Sequence, residues 1–208
     1  MKLYTFDAAP NPARVGLFMA YKGISLETVQ IDLGKEEQLG DAYRALVPEA
    51  TVPALVLDNG AVLSAVIAIV HYLEEVFPDK PLLGRTSEER AVILNWNHRL
   101  FGEVFSAIAD TFRNAHPNYV DRALPGPVNV AQLPELAERG RMRLAEAFSM
   151  LNGVLASQTF LAGEHVSFAD IDLMVAIDFA KWAARMTPDE SLQHLHRWRV
   201  DTKAALDG

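Results

Sequence analysis

The sequence predicts an α/β unit followed by an all-helical one. Short apolar strand patterns are confined to the part of the 208-residue chain before Phe77. A tight-turn signal, Asp58-Asn59-Gly60, joins the last two of them as a hairpin. Beyond the stretch Phe77-Pro78-Asp79-Lys80-Pro81-Leu82-Leu83-Gly84, only helical periodicity remains.

Taken in order, Lys2 to Phe6 reads as a strand and Asp7-Ala8-Ala9-Pro10 as a loop. Asn11-Pro12 then reads as a helix start, with Asn11 as N-cap and proline at the first helical position. Val15, Leu17, Phe18 and Met19 give this helix its apolar face, and Gly23 stops it. Leu26 to Ile31 is a second strand, parallel to the first because a helix connects them. Asp32 to Gly40 is a polar connection, and Asp41 to Leu46 a short helix that ends before Pro48. Thr51-Val52-Pro53-Ala54-Leu55 opens a strand with a proline at its mouth, where no ladder N–H is needed. Ala61-Val62-Leu63 returns as its hairpin partner, and Ser64 caps a helix from Ala65 to Val76. The order β-α-β-α-β-β-α is that of a thioredoxin-like domain. The expected organisation is 1–77 for that domain, 78–84 for a linker and 85–208 for a helical domain.

In the helical part, Ser87-Glu88-Glu89-Arg90 resembles a capping box and opens a long helix to about Asn114. Residues 115–134 hold Pro117, Pro125, Pro127 and Pro134 and read as a long loop, a kind that is often functional. Helices follow over 135–157, 168–182 and about 191–206, with Trp96, Trp182 and Trp198 as expected core. Ser167 and Asp170 form the cap of a buried helix.

Composition narrows the function. A net charge of −8 argues against general nucleic-acid binding, and no apolar run is long enough to span a membrane. The N-terminus lacks the pattern of a signal peptide. The chain has no cysteine, so disulfides, a cysteine nucleophile and thiolate metal sites are ruled out. These features fit a cytoplasmic protein. His194 and His196 alternate on a helix with no carboxylate cluster, so no metal is expected there.

A cysteine-free thioredoxin-like half joined to a helical half resembles the cytosolic glutathione transferase family. Thr51-Val52-Pro53-Ala54-Leu55 looks like its cis-proline segment, and Pro10-Asn11-Pro12-Ala13-Arg14-Val15 like the start of its first helix. Ala68-Ile69-Val70-His71-Tyr72-Leu73 resembles the second half of its Glu-Ser-x-Ala-Ile-x-x-Tyr-Leu motif. Ser167-Phe168-Ala169-Asp170, four residues after Gly163, looks like its bundle-helix cap. Phe112-Arg113-Asn114 and Arg122-Ala123-Leu124-Pro125-Gly126-Pro127 resemble a fungal and bacterial branch without a tyrosine, serine or cysteine activator.

The resemblance implies a transferase that conjugates or reduces small hydrophobic electrophiles with glutathione as co-substrate, with no metal, a detoxification role and a homodimer. Val52 would offer its backbone to the ligand's cysteinyl unit, with Pro53 in cis fixing the presentation. The γ-glutamyl carboxylate would lie at the helix start formed by Ser64, Ala65 and Val66. Here the chain departs from the family, because Ala65 and Val66 stand where the motif has Glu and Ser. Weak glutathione recognition, or a different ligand, is therefore expected. Ala9 and Thr5 occupy the usual activator positions, so Asn11 is the remaining polar candidate for catalysis. Arg14 is expected in a salt bridge or in solvent. The substrate pocket would draw on Phe105, Ile108, Phe112, Arg113 and His116, although helical spacing explains the first three equally well as core. The alternative to an enzyme is a non-catalytic carrier or binding protein on the same scaffold.

Overall fold

The computed structural model describes residues 1–207. The chain forms two compact units. The first comprises Met1–Lys80 and Leu124–Asn129; the second comprises Pro81–Ala123 and the chain from Val130 onward.

The first unit is a four-stranded sheet in the order β2-β1-β3-β4, with β1 Lys2–Thr5, β2 Glu27–Gln30, β3 Ala54–Val56 and β4 Val62–Leu63. β1 runs parallel to β2 and antiparallel to β3, which pairs antiparallel with β4. The helices are α1 Pro10–Lys22, α2 Asp41–Leu46 and α3 Val66–Val76. This is the thioredoxin-like order that the sequence predicts. Strand alternation sorts the faces. Leu3 and Thr5 are buried, as are Val15, Phe18 and Met19 of α1. Tyr4 and Phe6 turn the other way, onto a cluster of Ile31, Tyr43, Val47, Val52 and Ala54. Gly23, at φ 68°, ends α1 in the left-handed conformation that glycine adopts without steric cost. The Lys22 ammonium, 2.7 Å from the Glu74 carboxylate and donating to the carbonyls of Asp79 and Lys80, ties α1 to the end of α3.

The second unit holds α4 Ser87–Leu100, α5 Ser106–Arg113, α6 Pro134–Leu155, α7 Phe168–Phe179 and α8 Gln193–Asp207. α4 runs into α5 through a π-helical turn at Phe101–Phe105, and a second π turn, Ala180–Ala184, extends α7. The cap of α4 lies one residue earlier than expected. Thr86 accepts from the Glu89 N–H while the Glu89 carboxylate accepts from the Thr86 N–H, because Thr86 is the last extended residue. α6 crosses α5 at Gly140, where an added Cβ would lie 2.6 Å from the Ala107 carbonyl oxygen.

Asp170 organises the bundle. One carboxylate oxygen accepts from the Leu161 N–H and the Trp198 indole N–H, at 2.9 and 2.8 Å. The other accepts from the Ser167 N–H and hydroxyl, both at 2.9 Å. Burial pushes the carboxyl above its ordinary range, against the pull of those donors. Trp96 and Trp198 are core, but Trp182 is 58% exposed and corrects the expectation that all three tryptophans are buried. The π turn that carries Trp182 changes the residue-to-face relation that simple helical spacing assumes.

Candidate functional site

The segment leading to β3 is shaped by its own side chains. After α2, Ala50 is buried with φ 53°. The Tyr43 hydroxyl donates to the Thr51 carbonyl at 2.7 Å and holds the next turn of chain. Burial pushes this phenol up to about 12, so it remains a donor at any ordinary pH. The Val52–Pro53 peptide is cis, and β3 begins directly after it at Ala54, which pairs with Tyr4. Among the described residues, no backbone hydrogen bond uses the N–H or C=O of Val52. An extended peptide ligand can pair with both groups as an added strand would.

The start of α3 has the same openness. Ser64 is not the N-cap. Ala65 holds that position, with extended backbone at φ −91° and ψ 130°, and no side chain caps the helix. The first intrahelical bond runs from the Ile69 N–H to the Ala65 carbonyl. The N–H groups of Val66, Ile67 and Ala68 therefore have no partner within the helix, and an anion is favoured there. The side chains do not add to this. Ala65 is an exposed methyl, and Val66 is buried at 7%.

The first turn of α1 departs from expectation. Ala9 is the N-cap, so Asn11 is the second helical residue rather than the cap. Pro10 and Pro12 have no N–H, and the Ala13 N–H bonds to the Ala9 carbonyl. The turn therefore presents one backbone donor, that of Asn11, rather than a cluster. The Asn11 carboxamide oxygen accepts from Arg14 Nη1 at 3.1 Å. Arg14 is 3% exposed, which corrects its expected place in solvent; packing buries it beside Asn11. Thr5 lines a cavity of about 430 Å³ with Leu3, Pro12, Met19, Ile24 and Thr28, on the α1 face of the sheet and not with Val52.

In the second unit, Phe105 and Ile108 are core, at 6% and 0% exposure. Phe112, Arg113 and His116 are half-buried. Arg113 donates from Nε to the Ala123 carbonyl and from Nη2 to the Arg122 carbonyl, and its guanidinium lies 4.5 Å from the Tyr119 ring centre. Gln132 donates to the Arg113 and His116 carbonyls and fixes the start of the long loop. Phe112 is the centre of a ring cluster with His116, Tyr119, Phe179 and Trp182, at centroid distances of 5.0, 5.0, 6.4 and 5.1 Å. Sequence reasoning missed Tyr43, Tyr119, Phe179 and Trp182. Phe179 and Trp182 are three apart on one helical stretch, a visible signal, but their meeting with Phe112 is tertiary.

Known proteins resemble this chain in sequence and in fold. The family model described as the glutathione S-transferase N-terminal domain matches residues 3–81, and that of the C-terminal domain matches residues 109–202. Glutathione S-transferase 2 of Saccharomyces cerevisiae is 30% identical over 201 residues, which cover 95% of this chain and 83% of that protein. A maleylpyruvate isomerase of a Ralstonia species is 42% identical over 91 residues, 43% of this chain and 42% of that protein. The crystal structure of a glutathione S-transferase domain-containing protein from Marinobacter aquaeolei superposes with a TM-score of 0.86 at 34% identity, covering 98% of both chains.

Proposed function

The chain belongs to the glutathione S-transferase family, and on that premise we propose that it transfers small hydrophobic electrophiles to glutathione, which it binds weakly. The observation that carries this reading is the pair of open features in one unit: the Val52 backbone beside cis-Pro53 and the uncapped start of α3. The first suits the cysteinyl unit of glutathione; the second suits its γ-glutamyl carboxylate. The substrate's ammonium meets no carboxylate at Ala65, and its carboxylate meets no hydroxyl at Val66. A charge-assisted hydrogen bond contributes about 1.5–3 kcal/mol. Each one missing weakens binding roughly ten- to a hundredfold.

In the reaction, glutathione loses its thiol proton to water. The sulfur then forms a bond to the electrophilic carbon, and the leaving group departs with its electron pair. The N–H of Asn11 is the one donor that the first turn of α1 offers a thiolate, and Arg14 beside it adds positive charge. Phe112, Arg113 and His116 are the proposed contacts for the electrophile. The protein acts as a cytoplasmic homodimer in detoxification, in keeping with its family. No helix among the described residues is long and apolar enough to cross a membrane.

Calorimetric titration with glutathione tests the reading. Saturable binding in the millimolar range is expected, together with conjugation of a model electrophile. No heat at millimolar glutathione would remove the enzyme reading. Ala65 and Val66 also favour a second reading, a non-catalytic carrier, for which binding of apolar compounds without turnover is the expected outcome.

A further inference from the structure

The cavity of about 430 Å³ on the α1 face of the sheet is lined by the first unit alone, and glutathione binding as proposed above does not use it. Leu3, Thr5 and Asp7 alternate along one side of β1 and the chain just after it, and all three line the cavity. Thr28, the register partner of Leu3, adds a wall from the edge strand β2. Gly16 lines it from α1. A glycine inside a helix is destabilising relative to alanine. Gly140 has a packing reason, but a Cβ on Gly16 would meet nothing within 4 Å. What the missing side chain does is leave the cavity open on the α1 side. Two polar groups in the cavity stand without partners. Thr5 is 4% exposed, and its hydroxyl makes no hydrogen bond among the described residues. A hydroxyl so buried is ordinarily paired. Asp7 is exposed, its N–H donates to Gln30 Oε1 at 3.3 Å, and its carboxylate makes no ion pair among the described residues. No lysine, arginine or histidine lines the cavity.

We propose that this cavity is a second ligand site, which takes a small apolar primary amine in its ammonium form. Ligand pockets are mostly apolar with a few placed polar groups, and this one has that make-up. The apolar body of the ligand lies against Leu3, Pro12 and Ile24. The Thr5 hydroxyl donates to a polar atom on that body, and the ammonium donates to the Asp7 carboxylate. An anion would meet Asp7 with no cation to balance it. The net charge of −8 draws a cation towards the protein and repels an anion. Val52 packs on the opposite face of the sheet, with Tyr4 and Phe6, so the site stands whether or not glutathione binds there.

The test is a fluorescence titration with dansylcadaverine, a naphthalene sulfonamide that carries a primary ammonium. Wild type should bind it saturably. Gly16→Leu places a side chain in the cavity and should lose about tenfold or more in affinity. Leucine suits a helix better than glycine, so this variant should melt no lower than wild type, which separates lost binding from unfolding. Asp7→Asn removes an exposed ion pair and should lose about two- to fivefold. Thr5→Val should lose about two- to tenfold in affinity and, without ligand, melt higher than wild type, because it removes an unpaired buried hydroxyl. No saturable binding to wild type, or equal affinity in wild type and Gly16→Leu, overturns the site. Should Gly16→Leu melt below wild type, the exposed Asp7→Asn decides, and an unchanged affinity there overturns the proposal. The anion 8-anilinonaphthalene-1-sulfonate should bind the cavity more weakly than the amine. If it binds as tightly and is lost equally in Gly16→Leu, the assignment to amines is wrong.

Discussion

Replacing Ala65 with Glu and Val66 with Ser is the change that bears most directly on the proposed glutathione site. Ala65 is the exposed N-cap of α3, so a carboxylate there reaches solvent and a ligand without burial. Val66 is the first helical residue, where a hydroxyl adds a donor beside unpaired N–H groups. One restored charge-assisted bond contributes about 1.5–3 kcal/mol, so glutathione should bind roughly ten- to a hundredfold tighter. A cost opposes this in the unliganded protein. Val66 is buried at 7%, and exchanging its side chain for a hydroxyl removes about 1.5 kcal/mol or more of apolar burial. The midpoint of thermal unfolding should therefore fall without ligand and recover more steeply than wild type as glutathione is added. Calorimetry for affinity and a melting series at several glutathione concentrations check both halves. An affinity no better than wild type, in a folded double variant, would show that the start of α3 does not receive the γ-glutamyl group.

The remaining predictions concern the scaffold around the site. Asp170→Asn presents an amide donor to donors that now face a carboxylate, leaving two of them unpaired; at about 1–3 kcal/mol each, denaturant unfolding should show a loss of about 2–6 kcal/mol. Gly140→Ala forces α5 and α6 apart at the Ala107 carbonyl and should cost about 1–3 kcal/mol, whereas Gly153→Ala, with open space at its Cβ, should cost nothing. Tyr43→Phe removes the bond to the Thr51 carbonyl and should lower stability by about 1 kcal/mol near neutral pH. Because the folded phenol titrates at about 12 and the unfolded one near its ordinary value of 10.0, its contribution is complete below about pH 10 and is lost as the pH rises towards 12. Unfolding midpoints of wild type and Tyr43→Phe should thus converge between pH 10 and 12; parallel curves over that window would contradict the assignment.

Much of the fold was legible in the residues. Period-two and period-3.6 patterns, Gly23, the Asn59-Gly60 turn and the break before Pro48 are local signals, and local backbone physics obeys them. The Ser167–Asp170 cap was legible for the same reason, since both partners lie within one turn of chain. Cap positions failed where two candidates lay within two residues of each other. Asn11 against Ala9, Ser64 against Ala65, and Ser87 against Thr86 each differ by which residue is the last extended one, and the path of the preceding chain decides that.

At the site, sequence alone determined the backbone half and the missing side-chain half: the Val52-Pro53 segment, the start of α3, and the absence of Glu and Ser at residues 65 and 66. Both follow from residue identity in a recognisable order. What only tertiary structure decided is which side chains meet and which stay open. It buried Arg14 beside Asn11, and it put the Tyr43 hydroxyl on Thr51, eight residues away. It brought Trp182 and Phe179 to Phe112 across some seventy residues, with the indole left open. Helical spacing gives the side on which a residue lies. Whether that side meets another helix or solvent depends on where the π turns rotate it, and no local pattern in the sequence encodes that rotation.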